Sequence, residues 1–268
     1  MAKNEDFTVW GKVQPSLSQV TRTCAYDRAG FGWSDARQDA RDAEHVADQP
    51  HALLKEAGTT EPVILMGHSA GGLYVRVYAS RFPGEVAGLV LVDATSPTPL
   101  PMPPLISSLD HHSQMQFMLV KTMVALGIAR AAAQCDVVPK GLEAYAGWIK
   151  ANACIPSQQN AYEQEDEALT AARAQAGKTG PFGNLPILVL SQDPQNKVPP
   201  FLAGRLSTND WHTWTTNHDL EQQAFVELSS RSRRVIAQGS GHYVHYDRPD
   251  VVIREVTGFV QAIRGERR

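Results

Sequence analysis

Apolar residues recur along this chain in two rhythms. Val63-Ile-Leu-Met66 and Val86-Ala-Gly-Leu-Val-Leu-Val92 are unbroken apolar runs of strand length, the pattern of parallel strands covered on both faces. Arg22 to Tyr26, Pro186 to Ser191 and Arg234 to Gln238 read as three further strands. Helical spacing fills the intervals. Trp10, Val13, Leu17 and Val20 share one face, with Pro15 in the first turn. Arg41 to Ala57 is helix-prone, with Pro50 expected to kink or divide it and Gly58 to close it. Ala70, Leu73, Tyr74, Val77 and Tyr78 form a helical stripe that ends at Phe82-Pro83-Gly84. A helix is expected at about Asp219 to Ser229, and another from Pro249 with Val252, Val256 and Phe259 on its buried face. Strands alternating with helices predict an α/β fold with a mostly parallel sheet covered by helices on both faces.

The rhythm changes between Thr95 and Asn184. Pro97, Pro99, Pro101, Pro103 and Pro104 make an irregular linker, and Met115, Met118, Met123 and alanine-rich segments follow at helical spacing. The expected organisation is therefore a core of residues 1–96 and 185–268 with a helical cap insertion over 97–184. Methionines there are suited to repacking around varied apolar ligands, and equally to filling a core.

Composition narrows the class. With 43% apolar residues the chain can bury a large core, and its formal net charge of −3 supplies no basic field for nucleic acid. Arg231 to Arg234 and Arg264 to Arg268 read as solvated surface. No apolar run reaches the roughly 20 residues of a membrane span, and the polar start Met1 to Asp6 is unlike a signal peptide; the expected location is cytoplasmic. Cys24, Cys135 and Cys154 lack metal-ligand spacing. Free thiols are expected, with Cys24 buried in its strand, unless an oxidising compartment allows Cys135 to bridge Cys154.

The chemistry lies at the ends of the strands. Gly67-His68-Ser69-Ala70-Gly71 joins an apolar run to a helical stripe, and G-x-S-x-G in that setting is a sharp turn that lifts one hydroxyl above the sheet. Ser69 is the candidate nucleophile, against the plainer reading of a serine that caps a helix. A serine needs a base, and the base needs an orienting acid. Asp193 and His242 follow two later strands, in the order Ser, Asp, His that accompanies this turn. Asp93 ends the strand before the insertion and is the alternative acid. His245 is a neighbour of His242, His68 packs beside the nucleophile, and His111 and His112 form no metal site. Trp211, His212, Trp214 and His218 are read as loop residues, either lining an entrance or anchoring the packing. Gly30-x-Gly32 is set aside as a dinucleotide loop because Asp35 stands where the third glycine belongs.

These stretches, TRTCAYDRAGFGWSD, PVILMGHSAGG and RFPGEVAGLVLVDA in the first part and LPILVLSQDP and GSGHYVHYDRPDVV in the second, resemble the α/β-hydrolase family, in its bacterial esterase-like branch with a helical cap. The resemblance implies Ser69 as nucleophile, His242 as base, Asp193 as acid and the N–H of Ala70 as one oxyanion donor. It implies a small-molecule ester as substrate and no cofactor or metal. It also implies N-terminal strands that are lacking before Trp10, one of which would supply a second oxyanion N–H; a residue within Asn4 to Thr8 is the substitute considered. The expected activity is ester hydrolysis through an acyl-enzyme. The alternatives are an N-terminally truncated, weakly active or non-catalytic protein of this fold, or lactone hydrolysis, carbon–carbon bond hydrolysis or perhydrolysis with the same residues.

Overall fold

The apolar run Val86–Val92 forms a strand with every residue buried, at the heart of a parallel sheet. The structure is a computed structural model and describes residues 6–104, 114–199 and 202–266. In chain order its main elements are α1 (Ala43–Glu56), β1 (Val63–His68), α2 (Gly71–Arg81), β2 (Val86–Val92), α3 (Gln114–Ala125), α4 (Pro156–Glu167), α5 (Leu169–Gly177), β3 (Ile187–Ser191), α6 (Thr208–Ala224), β4 (Ser232–Ile236) and α7 (Pro249–Glu266). The contacts divide them into two compact units, Asp42–Ser107 with Leu169–Arg268, and Met1–Arg41 with Ser108–Ala168.

The first of these holds the sheet. Its strands lie in the order β1-β2-β3-β4 and all pair in parallel. Leu89, Leu91 and Val189 pack with Leu73, Tyr74 and Val77 of α2, with Ala43, Val46 and Ala47 of α1, and with Ala172 and Ala176 of α5. On the opposite face, a side chain at Gly88 would meet Ile263 and Phe259 of α7 at 2.9 and 3.0 Å. That glycine lets α7 lie close on the strand. Both faces are thus covered by helices, as the unbroken apolar runs require. α1 starts at Asp42, whose side chain accepts from the His45 N–H, and runs through Pro50 as one helix rather than two. At its end Gly58 takes φ +65, with its N–H on the Lys55 carbonyl and the Thr59 N–H on that of Leu54.

The second unit is helical. Arg28 forms two 2.9 Å bonds to the carboxylate of Glu165, Phe7 packs against Trp148 at 5.3 Å, and Asn152 donates to Asp6. The chain start is thereby fastened to the insertion segment. The unit boundaries near 108 and 168 do not coincide with 97 and 184, because α5 packs with the sheet-bearing unit. Among the described residues no strand interrupts 95–184, in keeping with the helical periodicity.

Three sequence expectations change. Arg22 to Tyr26 forms no strand; it has no ladder partner among the described residues, and the Thr23 carbonyl accepts from the Gln14 side chain instead. Cys24 is an exposed free thiol instead of a buried one. Cys135 and Cys154 form a disulfide, with Cα atoms 5.7 Å apart and a sequence separation of 19, inside a small apolar cluster with Val124, Ala129 and Ala153. Cross-linking a loop of this length contributes about 3 kcal/mol at most, which in a chain of this size corresponds to a Tm shift of about 5–10 °C. Calorimetry of the Cys135→Ser, Cys154→Ser variant is expected to show a Tm lowered by that amount, and an unchanged Tm would show the bridge to be dispensable.

Candidate active site

β1 ends in a turn made possible by two glycines, Gly67 of the motif and Gly72 just beyond it. A side chain on Gly67 would stand 2.4 Å from the carbonyl oxygen of Gly71, and one on Gly72 would stand 2.4 Å from the Ala94 Cβ. Gly71, the last glycine of the motif, would have open space around a side chain. The turn therefore needs Gly67 for its sharpness and Gly72 so that α2 can start against the end of β2. Gly67→Ala is expected to destabilise the fold by more than about 2 kcal/mol, since backbone must move to admit the methyl group; Gly71→Ala is expected to be near neutral in the same thermal-unfolding measurement.

Ser69 sits at the apex with φ +53, a left-handed conformation that side chains avoid. Its N–H reaches the Val92 carbonyl at 3.2 Å and its carbonyl accepts from Gly72 and Thr95 at 3.0 and 2.9 Å. Asp93, one residue past β2, is strained in the same way at φ +40. Its N–H donates to Leu190 of β3 at 2.7 Å. Strained residues held by surrounding structure are characteristic of functional sites, and here two of them end adjacent strands.

His242 arrives on the loop after β4. Its Nδ1 lies 2.7 Å from Oδ2 of Asp93, which is fully buried. The other oxygen, Oδ1, accepts from the Gln192 N–H and from His218 Nε2, each at 2.9 Å. His68 Nε2 donates to the His242 carbonyl at 3.0 Å. With Nδ1–H given to a carboxylate, Nε2 of His242 is left as the proton acceptor. Burial presses the His242 basicity below the ordinary imidazole range against the opposing pull of Asp93, so the ring is neutral at pH 7. Burial alone would make Asp93 a weaker acid, yet the charges and bonds of His218 and His242 outweigh it and hold the carboxyl well below the usual carboxylate range.

Asp193 does something else. Its Oδ1 accepts from the Gln195 N–H and its Oδ2 from the Gly239 N–H, at 2.9 and 2.8 Å, while its own N–H binds the Ser240 carbonyl at 3.1 Å. This carboxylate braces the 239–242 loop, and the orienting contact on His242 belongs to Asp93. The reason is topological: β2 lies next to β1, so the end of β2 stands beside Ser69, whereas Asp193 is one strand further away.

Other expected residues fall into place. The Ala70 N–H, at the start of α2, has no acceptor among the described residues. In the helical unit, Phe7 N–H is committed to Asp27 and Thr8 N–H to Asp6; Asn4 and Glu5, with His111 and His112, lie outside the described residues. His245 is fully buried against His68 and Tyr246. The Ser69 hydroxyl and the His242 ring are not hydrogen-bonded to each other in this structure; in unliganded sites such contacts commonly tighten only with substrate. His218 does not stand out in the sequence, where Trp211 to His218 reads as loop. α6 in fact begins at Thr208, with Ser207 accepting from the Asp210 N–H and donating to its carboxylate. Ser207-Thr-Asn-Asp210 is a legible capping box. No group of His, Cys, Asp and Glu suited to a metal ion occurs among the described residues.

A parallel sheet with two strained residues at adjacent strand ends, one of them bonded to a histidine from the loop after β4, fits the arrangement of a hydrolase. A sequence profile of the alpha/beta hydrolase family matches residues 5–255, and the chain belongs to that family. An AB hydrolase superfamily protein of Gibberella zeae is 25% identical over 274 residues, covering 95% of this chain and 83% of that one. A bifunctional esterase/perhydrolase of Acinetobacter calcoaceticus is 37% identical over 82 residues, 30% of this chain and 29% of the relative. The matched stretch spans only 16% of an uncharacterized Schizosaccharomyces pombe protein to which it is 42% identical. Among solved structures, a thermophilic esterase from Thermogutta terrifontis superposes with a TM-score of 0.60 at 19% identity, over 96% of this chain and 86% of that one, a likeness of fold.

Proposed function

We propose that this chain hydrolyses carboxylic esters of small molecules through an acyl-enzyme on Ser69. The observation that carries this reading is the 2.7 Å contact between His242 Nδ1 and a buried Asp93, one strand over from a serine held at the apex of a strained turn. His242 Nε2 takes the Ser69 proton as the oxygen attacks the ester carbonyl. The carbonyl oxygen gains charge, which the Ala70 N–H at the start of α2 offsets. The alcohol departs with the proton from His242, and water activated by the same ring then releases the acid. No step calls for a cofactor. The esterase name of the Acinetobacter calcoaceticus relative supports the substrate class.

Residues 97–184 take the cap role in this reading and select the substrate. Among the described residues no helix is long and apolar enough to cross a membrane, and the Cys135–Cys154 bridge favours an oxidising compartment over the cytoplasmic one. Labelling with a fluorophosphonate is the direct test, since only an activated serine reacts. Stoichiometric label on Ser69 is the expected result, and a protein that resists the reagent would be a non-catalytic member of the family.

A further inference from the structure

Asp93 carries two imidazoles. The second, His218, is held as firmly as the first: its ring lies nearly parallel to that of Trp214 one helical turn earlier, with centroids 5.6 Å apart and planes 13° from parallel. Trp214 in turn rests on Trp211, whose Nε1 donates to the Asn196 carbonyl at 2.8 Å. The His218 side chain is only 14% exposed. A carboxylate with no exposure pays a large desolvation cost unless charge and hydrogen bonds surround it. His242 must be neutral to act as a base, so it cannot be the standing counter-charge.

We propose that His218 is a positioning residue for the reaction above: it fixes the Asp93 carboxylate through Oδ1, turns Oδ2 toward His242, and sets the basicity of His242 through the carboxylate they share. The inference rests on the ester-hydrolase reading for its catalytic consequence. Its electrostatics follow from geometry. When His218 carries a proton, part of the Asp93 field is compensated, and an imidazolium at His242 gains less from that carboxylate. His242 then stays neutral, and competent, to lower pH. Removing the His218 charge leaves Asp93 to His242 alone and raises the basicity of His242.

The surroundings favour the protonated state. Around His218 stand Asp93 at the end of β2, Glu221 on its own helix with Oε2 4.0 Å from Nδ1, and Arg234 on β4, with Arg173 of α5 acting on Glu221. Burial opposes the charge on His218, as does Arg234, but Asp93 and Glu221 prevail and its basicity is raised. Facing His242 are Asp93 and His68, the latter opposing a charge there.

The test compares His218→Gln, which keeps an amide donor for Oδ1 but no charge, with His218→Leu, which removes both. The His242 titration, read by ¹⁵N NMR of its ring, is expected to move up by about half a pH unit or more in the Gln variant. The acid limb of kcat/KM for an aryl ester is expected to move by the same amount, with the plateau within about tenfold of wild type. The Leu variant is expected to lose at least about tenfold more in the plateau, as the carboxylate loses its second anchor. An unmoved His242 titration in the Gln variant overturns the proposal, and it decides the matter even if the Leu variant fails to fold. The NMR readout does not depend on Ser69. A wild-type protein that resists fluorophosphonate while its His242 titration still responds to His218 would sink the esterase reading and leave the coupling standing.

Discussion

Asp93→Asn is expected to lower kcat for an aryl ester by about 10⁴-fold while the protein remains folded. An amide in place of the carboxylate keeps its oxygen on the Gln192 and His218 donors and turns its NH₂ group toward His242 Nδ1, so the ring is held in the wrong tautomer with Nε2 protonated. The imidazolium that forms during the reaction also loses its counter-charge. Asp193→Asn is the control, because that carboxylate accepts from two backbone N–H groups and stays clear of the imidazole. Losing charge-assisted bonds there costs stability, about 1.5–3 kcal/mol, with a smaller fall in kcat as the 239–242 loop loosens. Steady-state kinetics and thermal unfolding of the two variants give opposite rankings on the two scales. If Asp193→Asn proved the more damaging to kcat, the acid would be Asp193 after all.

Ser69→Ala is expected to lower kcat by about 10⁵-fold or more and to abolish phosphonate labelling, as loss of the attacking atom leaves only binding and oxyanion stabilisation. Ser69→Gly gives the same loss with a second signature. At φ +53 glycine is unstrained where serine is not, so this variant is expected to be inactive and more stable, by about 1 kcal/mol. A Tm that falls instead would mean that the serine side chain contributes more to the fold than its conformation costs.

The strands after which chemistry would stand were legible from unbroken apolar runs, and Val86–Val92 has the bounds its sequence predicts. The places of Ser69 and His242 just past strand ends were legible too, because glycine-bearing turns after such runs leave few alternatives. The acid was not. Asp93 and Asp193 both end strands, and only the lateral order of the strands separates them, a property no local pattern encodes. Arg22 to Tyr26 shows the limit in another form: β-branched and aromatic residues promise a strand, but a strand exists only with a partner. His218 was hidden by a helix start placed eleven residues late, although the Ser207 to Asp210 cap announced it. The disulfide was open in the sequence because pairing depends on how close the two Cα atoms come.

The turns at Ser69 and Asp93 also hold one another. Ser69 donates to Val92 and accepts from Thr95, while Gly72 leaves room for Ala94. The candidate nucleophile and the candidate acid are therefore a single rigid casting, and the histidine loop is a separate part latched on by Asp193. Anyone moving this site to another scaffold, or recombining it with a relative, should treat residues 67–72 and 92–95 as one cassette. A crossover between them would inherit both candidate side chains and the alignment of neither.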